Sequence, residues 1–258
     1  MENVRIYKKN FITQVVIRAD FQVPHQAIKT SLPGGFEEEF ATLLPLVEVR
    51  DTQTQEVTFK VQQRQPEFSH KASEPFKTWV LRSDDGSQAL TICQDWVSFS
   101  SSTYTRYSAF IAPFLKAMNA LVGGEDADVS YRRLGLRYID EVKPGEGRPL
   151  EWDGFIAPAL TGSLAFVGAD RLLRAMGVIE VEVEECRMRM QYGMPNPDFP
   201  AAAVDKLFVI DCDAYVPALV EHKDLQAQSE RLNRTVYDYF ERAIDDRLRA
   251  MMEPEEQQ

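Results

Sequence analysis

Near the middle of the chain, Arg132 to Val142 (RRLGLRYIDEV) threads arginines, a glycine, a tyrosine and an acidic pair through an alternating apolar and polar pattern. A period of two is the signature of a half-buried strand, because successive side chains leave a pleated backbone on opposite faces. Leu134, Leu136, Tyr138 and Asp140 fall on one face; Arg133, Gly135, Arg137 and Ile139 fall on the other. The Leu and Tyr face reads as core, and Gly135 leaves room for another backbone or side chain to come close.

The neighbouring segments say what such a strand packs with. Ile12 to Phe21 is rich in β-branched residues and stops before Pro24, which predicts a strand. The run after Gly35 (FEEEFATLLPL) predicts a short helix with acids at its N-terminal end, closed by Pro45. Glu56–Val61 and Trp79–Arg82 look extended, with Gln62 to Pro75 between them as a loop. Ser83-Asp84-Asp85-Gly86-Ser87 joins two β-rich runs and predicts a hairpin, since Asp-Gly readily takes positive φ.

From Thr105 to Val122 the apolar spacing is helical, with Pro113 expected to kink the helix or confine its regular part to the second half, and Gly123-Gly124 ends it. Val129–Val142, Val178–Tyr192 and Lys206–Tyr215 predict further strands. A terminal amphipathic helix runs from about Asp224 to Met252. This order predicts an α+β fold: a mostly antiparallel sheet covered on one face by two long helices, with the first half split β-α-β-like. The 258 residues are read as a single domain, with a subdivision allowed near 143–150.

Composition narrows the function classes. A formal net charge of -11 argues against charge-driven adhesion to nucleic acid, although Arg132, Arg133 and Arg137 make a local basic patch. No stretch is apolar enough to span a membrane, and the start MENVRIYKKN lacks the apolar core of a signal peptide, so a cytoplasmic protein is expected. Cys93, Cys186 and Cys212 are odd in number and far apart, and read as reduced thiols. His25, His70 and His222 are dispersed, with no metal-ligand spacing, and no phosphate-binding glycine loop or nucleophile elbow occurs; no cofactor is expected.

Two constellations remain. On the arginine face, Arg133 and Arg137 frame a glycine-floored site suited to a carboxylate or phosphate, or else pair with neighbouring acids; with Tyr138 and Asp140 they are the candidate ligand-binding residues. Glu180, Glu182 and Glu184 project from one side of Val178–Tyr192, with Arg187 and Arg189 on the other side unless a bulge re-registers them. Together with Asp211 and Asp213 they would be the ligands of a divalent-metal site, or else the charges of a solvent-facing edge strand.

The segment LGLRYID, the hairpin ending in QDWVSFSSSTY and the closing helix LNRTVYDYFERAIDDRLRAM resemble a sporadically distributed prokaryotic family of uncharacterised proteins about this long. Members carry a G-L-R-Y-I-N-like strand in mid-chain, and Asp140 stands where Asn is usual. The resemblance implies no catalytic residues; the family's patchy distribution is that of mobile defence or toxin–antitoxin type modules. The expectation is a non-enzymatic binding or interaction protein with a protein partner, or a homodimer through the terminal helix. The alternatives are a metal-dependent phosphate-ester or nucleotide-acting enzyme using the strand carboxylates and, more weakly, a nucleic-acid-binding protein.

Overall fold

The structure is a computed structural model that describes residues 5–53, 55–62, 65–72, 74–168 and 170–255. In chain order its elements are β1 (Ile12–Phe21), α1 (Phe36–Phe40), β2 (Leu46–Thr52), β3 (Gln55–Gln62), β4 (Gln65–Ala72), β5 (Phe76–Arg82), β6 (Gln88–Ile92) and β7 (Trp96–Ser101). There follow α2 (Tyr107–Val122), β8 (Ser130–Val142), α3 (Gly162–Val167), β9 (Ala175–Val183) and β10 (Cys186–Met194). The chain closes with β11 (Phe208–Val216), β12 (Val220–Glu221), α4 (Leu225–Ala243) and α5 (Asp246–Met251).

The fold is α+β, built on a ten-stranded antiparallel sheet in the order β2-β5-β6-β7-β1-β8-β11-β10-β9, with β12 pairing the start of β8. β1 lies between β7 and β8 and is antiparallel to both, so β7 and β8 run parallel, joined through α2 as a split β-α-β unit. β11 hydrogen-bonds along β8, from Phe208 opposite Val142 to Val216 opposite Leu134, which carries the sheet across 143–150 without a break.

Alternation along these strands sets the core. Val15, Ile17 and Ala19 of β1 lie opposite Tyr138, Leu136 and Leu134 of β8, and all six are buried. α2 contributes Phe110, Phe114, Ala117, Met118 and Leu121, which share one helical face, to this face of the sheet, and α4 contributes Leu225, Leu232 and Val236. Burying each large apolar side chain stabilises the fold by roughly 1.5–3 kcal/mol. α2 and α4, of 16 and 19 residues, are the longest helices described. Among the described residues no helix is long and apolar enough to cross a membrane, and Cys93, Cys186 and Cys212 are free and buried.

Several elements differ from the sequence-based expectation. The loop expected over Gln62 to Pro75 contains β4, which pairs with β3 in a separate two-stranded ribbon; its polar sequence has no apolar alternation to announce it. β2 also forms where no strand was expected, as one edge of the main sheet. The single strand expected over Val178–Tyr192 is a hairpin: Glu184 and Glu185 make the turn, with Cys186 opposite Val183 and Glu184 at φ 53°. Alternating charge runs straight through that turn, which has no glycine to mark it.

The terminal helix is broken. Ile244 is extended and bridges Ile156, Asp245 N–H donates to the Phe155 carbonyl, and the Asp245 side chain caps α5 by accepting from Asp246 N–H. The helix therefore stops where its backbone finds hydrogen bonds in the 154–157 segment. The helix over Tyr107–Val122 runs through Pro113 as one element.

Candidate functional site

β8 divides the candidate residues between the two faces of the sheet. Arg133 and Arg137 leave it on the solvent side, and both are paired within the chain. Arg137 Nε and Nη2 donate to the two carboxylate oxygens of Asp211, each at 2.7 Å, in the bidentate fork that suits guanidinium to carboxylate. Arg133 Nη2 lies 3.3 Å from Asp213, and its guanidinium sits 5.2 Å from the centre of the Tyr215 ring. A Cβ at Gly135 would meet the Arg133 guanidinium at 3.1 Å, so the glycine floor is occupied by the strand's own arginine.

The acids of the expected metal site are interleaved with bases. The turn at Glu184-Glu185 folds β10 back on β9 and places Arg187 opposite Glu182 and Arg189 opposite Glu180, with nitrogen–oxygen distances of 3.5 and 3.7 Å. This corrects the expectation that the two arginines leave on the other side: a hairpin, not a bulge, re-registers them. Arg189 also faces Asp213 of β11. Glu184 stands apart at the turn, and β10 separates Glu180 and Glu182 from Asp211 and Asp213. Among the described residues no three His, Cys, Asp or Glu side chains come together as a metal-binding group.

Burial holds the Asp213 carboxyl above its ordinary value in spite of the nearby arginines. This side of the sheet is a lattice of charges that satisfy one another. His222 is likewise engaged: its Nδ1 accepts from the Tyr131 hydroxyl at 2.6 Å, and its Nε2 lies 2.9 Å from Asn119 Oδ1. Burial depresses its pKa, which makes it a neutral core histidine.

Tyr138 and Asp140 leave β8 on the helix side and line a cavity of about 340 Å³. Its walls come from the N-terminal segment (Arg5, Tyr7, Asn10), the start of β1 (Ile12), the entry to α2 (Tyr104 to Ser108), the end of β8, α4 (Asn233, Tyr237, Phe240) and Met252. The N-terminal segment is held there by the C-terminus, since Lys8 and Lys9 N–H donate to the carbonyls of Glu253 and Met252, and Glu255 N–H donates to Ile6. Arg5 N–H donates to Tyr237 Oη at 2.8 Å. The lining is mostly aromatic and aliphatic, with polar groups set into it, the usual composition of a small-ligand site.

The phenols are already engaged. Tyr138 Oη donates to Asn233 Oδ1 at 2.9 Å, Tyr107 Oη to Ser229 Oγ at 2.9 Å, and Tyr7 Oη to Glu241 Oε1 at 2.5 Å. The Tyr104 and Tyr138 rings meet edge to face with centroids 5.4 Å apart. Burial raises the pKa of Tyr7, Tyr104, Tyr107 and Tyr138, so all stay protonated at neutral pH.

Asp140 is different. It is 5% exposed, and among the described residues its carboxyl has neither a hydrogen bond nor an ion pair. Burial alone pushes its pKa up to about 8, so at pH 7 it is held mainly as the neutral acid. Behind it, Cys212 is buried and its thiol pKa is raised, first by burial and then by the Asp140 and Asp211 charges, which leaves it unreactive.

The pattern of β8 alone distinguishes Tyr138 and Asp140 from Arg133 and Arg137 by face. It does not identify Tyr104, Tyr107, Asn233 or Tyr237 as their neighbours. The cues in the sequence are Tyr104 and Tyr107 one turn apart where α2 begins, and Asn233 and Tyr237 at i, i+4 on one helix face. Comparisons with protein families, with curated proteins and with solved structures give no match to this chain, so the site rests on its own geometry.

Proposed function

We propose that this is a non-enzymatic binding protein whose ligand is a small, largely apolar molecule held in the tyrosine-lined cavity between β8, α4 and the entry to α2. The observation that carries this reading is Asp140: a buried carboxyl with no partner among the described residues, lining a cavity of ligand size. Leaving a polar group buried and unpaired costs about 1–3 kcal/mol, a cost that a bound molecule would relieve. The phenols support binding over catalysis, because each is held protonated and, among the described residues, no nucleophile–base pair faces the cavity.

The test is a fragment screen by ligand-observed NMR on the full chain and on Thr105→Trp, which puts a bulky ring at an exposed lining position. Fragments that bind the wild type and are lost from a folded Thr105→Trp support the reading. A screen without hits, or hits indifferent to the substitution, removes it.

A protein partner is the second reading, favoured by one edge of the sheet. β2 has no strand on its outer side among the described residues, and Leu46, Val47 and Val49 are exposed along it. A second copy adding its own β2 there would continue the sheet as a homodimer. Light scattering that finds a monomer at every concentration would count against it.

A further inference from the structure

We infer that the ligand of the cavity is an organic monocation, a single ammonium group on a small apolar body. This rests on reading the cavity as a binding site and adds the chemistry of what enters it.

Three acids are buried among the described residues: Asp20, Asp140 and Asp211. Two of them carry their cation within the chain. Asp20 accepts from Arg18 at 2.5 Å, and Asp211 accepts the Arg137 fork. Asp140 has no such partner among the described residues, and it lines the cavity. A cation entering the cavity would supply that partner.

The rest of the wall suits the same chemistry. With the hydroxyls of Tyr7, Tyr107 and Tyr138 committed to protein acceptors, these residues mainly offer the ligand their rings. Aromatic rings and a carboxylate together form a recurrent way of holding an ammonium ion. Arg5 and Arg106 are exposed where the cavity opens, so a second positive charge on the ligand would meet them there. A monoamine fits this charge distribution, and a polyamine does not.

Protons must move with the ligand. Among the described residues the titratable groups around Asp140 are Tyr138 on its own strand, Tyr104 before α2, Cys212 on β11 and, elsewhere on the cavity wall, Tyr7, Tyr107 and Tyr237, all with pKa values raised by burial and so uncharged at pH 7. Ile12, opposite on β1, and Asn233 on α4 do not titrate, and the nearby cations are Arg5 and Arg106 at the mouth. A cation binds the ionised form of Asp140, so binding at pH 7 displaces its proton. Affinity then rises by about tenfold per pH unit up to about pH 8 and levels off beyond it.

The experiment is isothermal titration calorimetry on the full chain with 2-phenylethylamine, its neutral isostere 2-phenylethanol, and spermidine, in buffers of differing ionisation enthalpy. The expected result at pH 8.5 is that the amine binds at least about tenfold tighter than the alcohol and the triamine. At pH 7 nearly one proton should leave per amine bound. Asp140→Asn should abolish the preference for the amine and leave alcohol binding in place. Equal binding of alcohol and amine, or a preference that survives in Asp140→Asn, overturns the cation inference while the cavity stands as a site. If neither compound binds, and the fragment screen also finds nothing sensitive to Thr105→Trp, both fall.

Discussion

Arg137 and Asp140 stand three residues apart on one strand, and their side chains leave the sheet on opposite faces into opposite electrostatic conditions. Arg137 is closed by a bidentate carboxylate at 2.7 Å, whereas Asp140 is buried beside tyrosines and, among the described residues, has no ion-pair partner. What the strand's charges do depends on the layer each face was given.

Asp140 makes stability depend on pH in a definite direction. Its folded pKa of about 8 lies above the unfolded value of about 3.9, so from pH 4 to 8 the unfolded chain binds fewer protons than the folded one. Stability should fall as pH rises through that window, by up to about 1.4 kcal/mol per pH unit, and stop falling from this cause above pH 8. Asp140→Asn removes the dependence and should be more stable than the wild type at pH 8 by about 2 kcal/mol, a figure set below the full linkage because the cavity admits water. Urea unfolding at pH 5, 7 and 9 on both proteins reads the difference; parallel profiles would refute it.

The two arginines of β8 should differ in cost. Arg137→Ala strands the nearly buried Asp211 and should destabilise by about 2 kcal/mol, reduced from the value for a fully buried pair because the arginine is half exposed. Arg133→Ala breaks a longer, more open pair and should cost less than about 1 kcal/mol. The double variant Arg137→Ala, Asp211→Ala should recover part of the first loss. Equal midpoints for the two single variants in urea would contradict the geometry.

Two glycines separate steric necessity from mere proximity. Gly193 has φ 142°, and a Cβ there would stand 2.1 Å from the Ala175 carbonyl oxygen of the adjacent strand, so Gly193→Ala should cost on the order of 3 kcal/mol. Gly135→Ala meets only the far end of a flexible arginine, and its cost should stay near 1 kcal/mol or below. Thermal denaturation of the pair tests the ranking.

Glu184 occupies a left-handed conformation that non-glycine residues adopt at a cost. Glu184→Gly relieves that strain but frees the unfolded chain, and the balance should favour the variant by about 0.5 kcal/mol. A lowered melting temperature would show that the turn is held by contacts of the glutamate itself.

Strand β8 and the β5–β6 hairpin are legible in the amino-acid sequence. A period of two and an Asp-Gly turn are local chemistry, and each is formed by residues adjacent in the chain. The β9–β10 hairpin is not, because its turn is two glutamates and its alternation continues across them. The break in the terminal helix is equally hidden: Ile244 and Asp245 leave the helix to pair with backbone some ninety residues earlier, and nothing in their own neighbourhood demands it.

The candidate site divides in the same way. That Tyr138 and Asp140 share one face and Arg133 and Arg137 the other follows from the alternation of the amino-acid sequence alone. Which face meets the helices, which acids reach the arginines and which acid is left alone were decided by tertiary structure. The register of β11 against β8 brings Asp211 and Asp213 within reach of the guanidinium groups, and the meeting of α4, the entry to α2 and the N-terminal segment closes a cavity over Asp140. Periodicity is a property of neighbouring residues, whereas register and enclosure arise only when distant segments pack, and it is enclosure that buries Asp140 without a partner among the described residues.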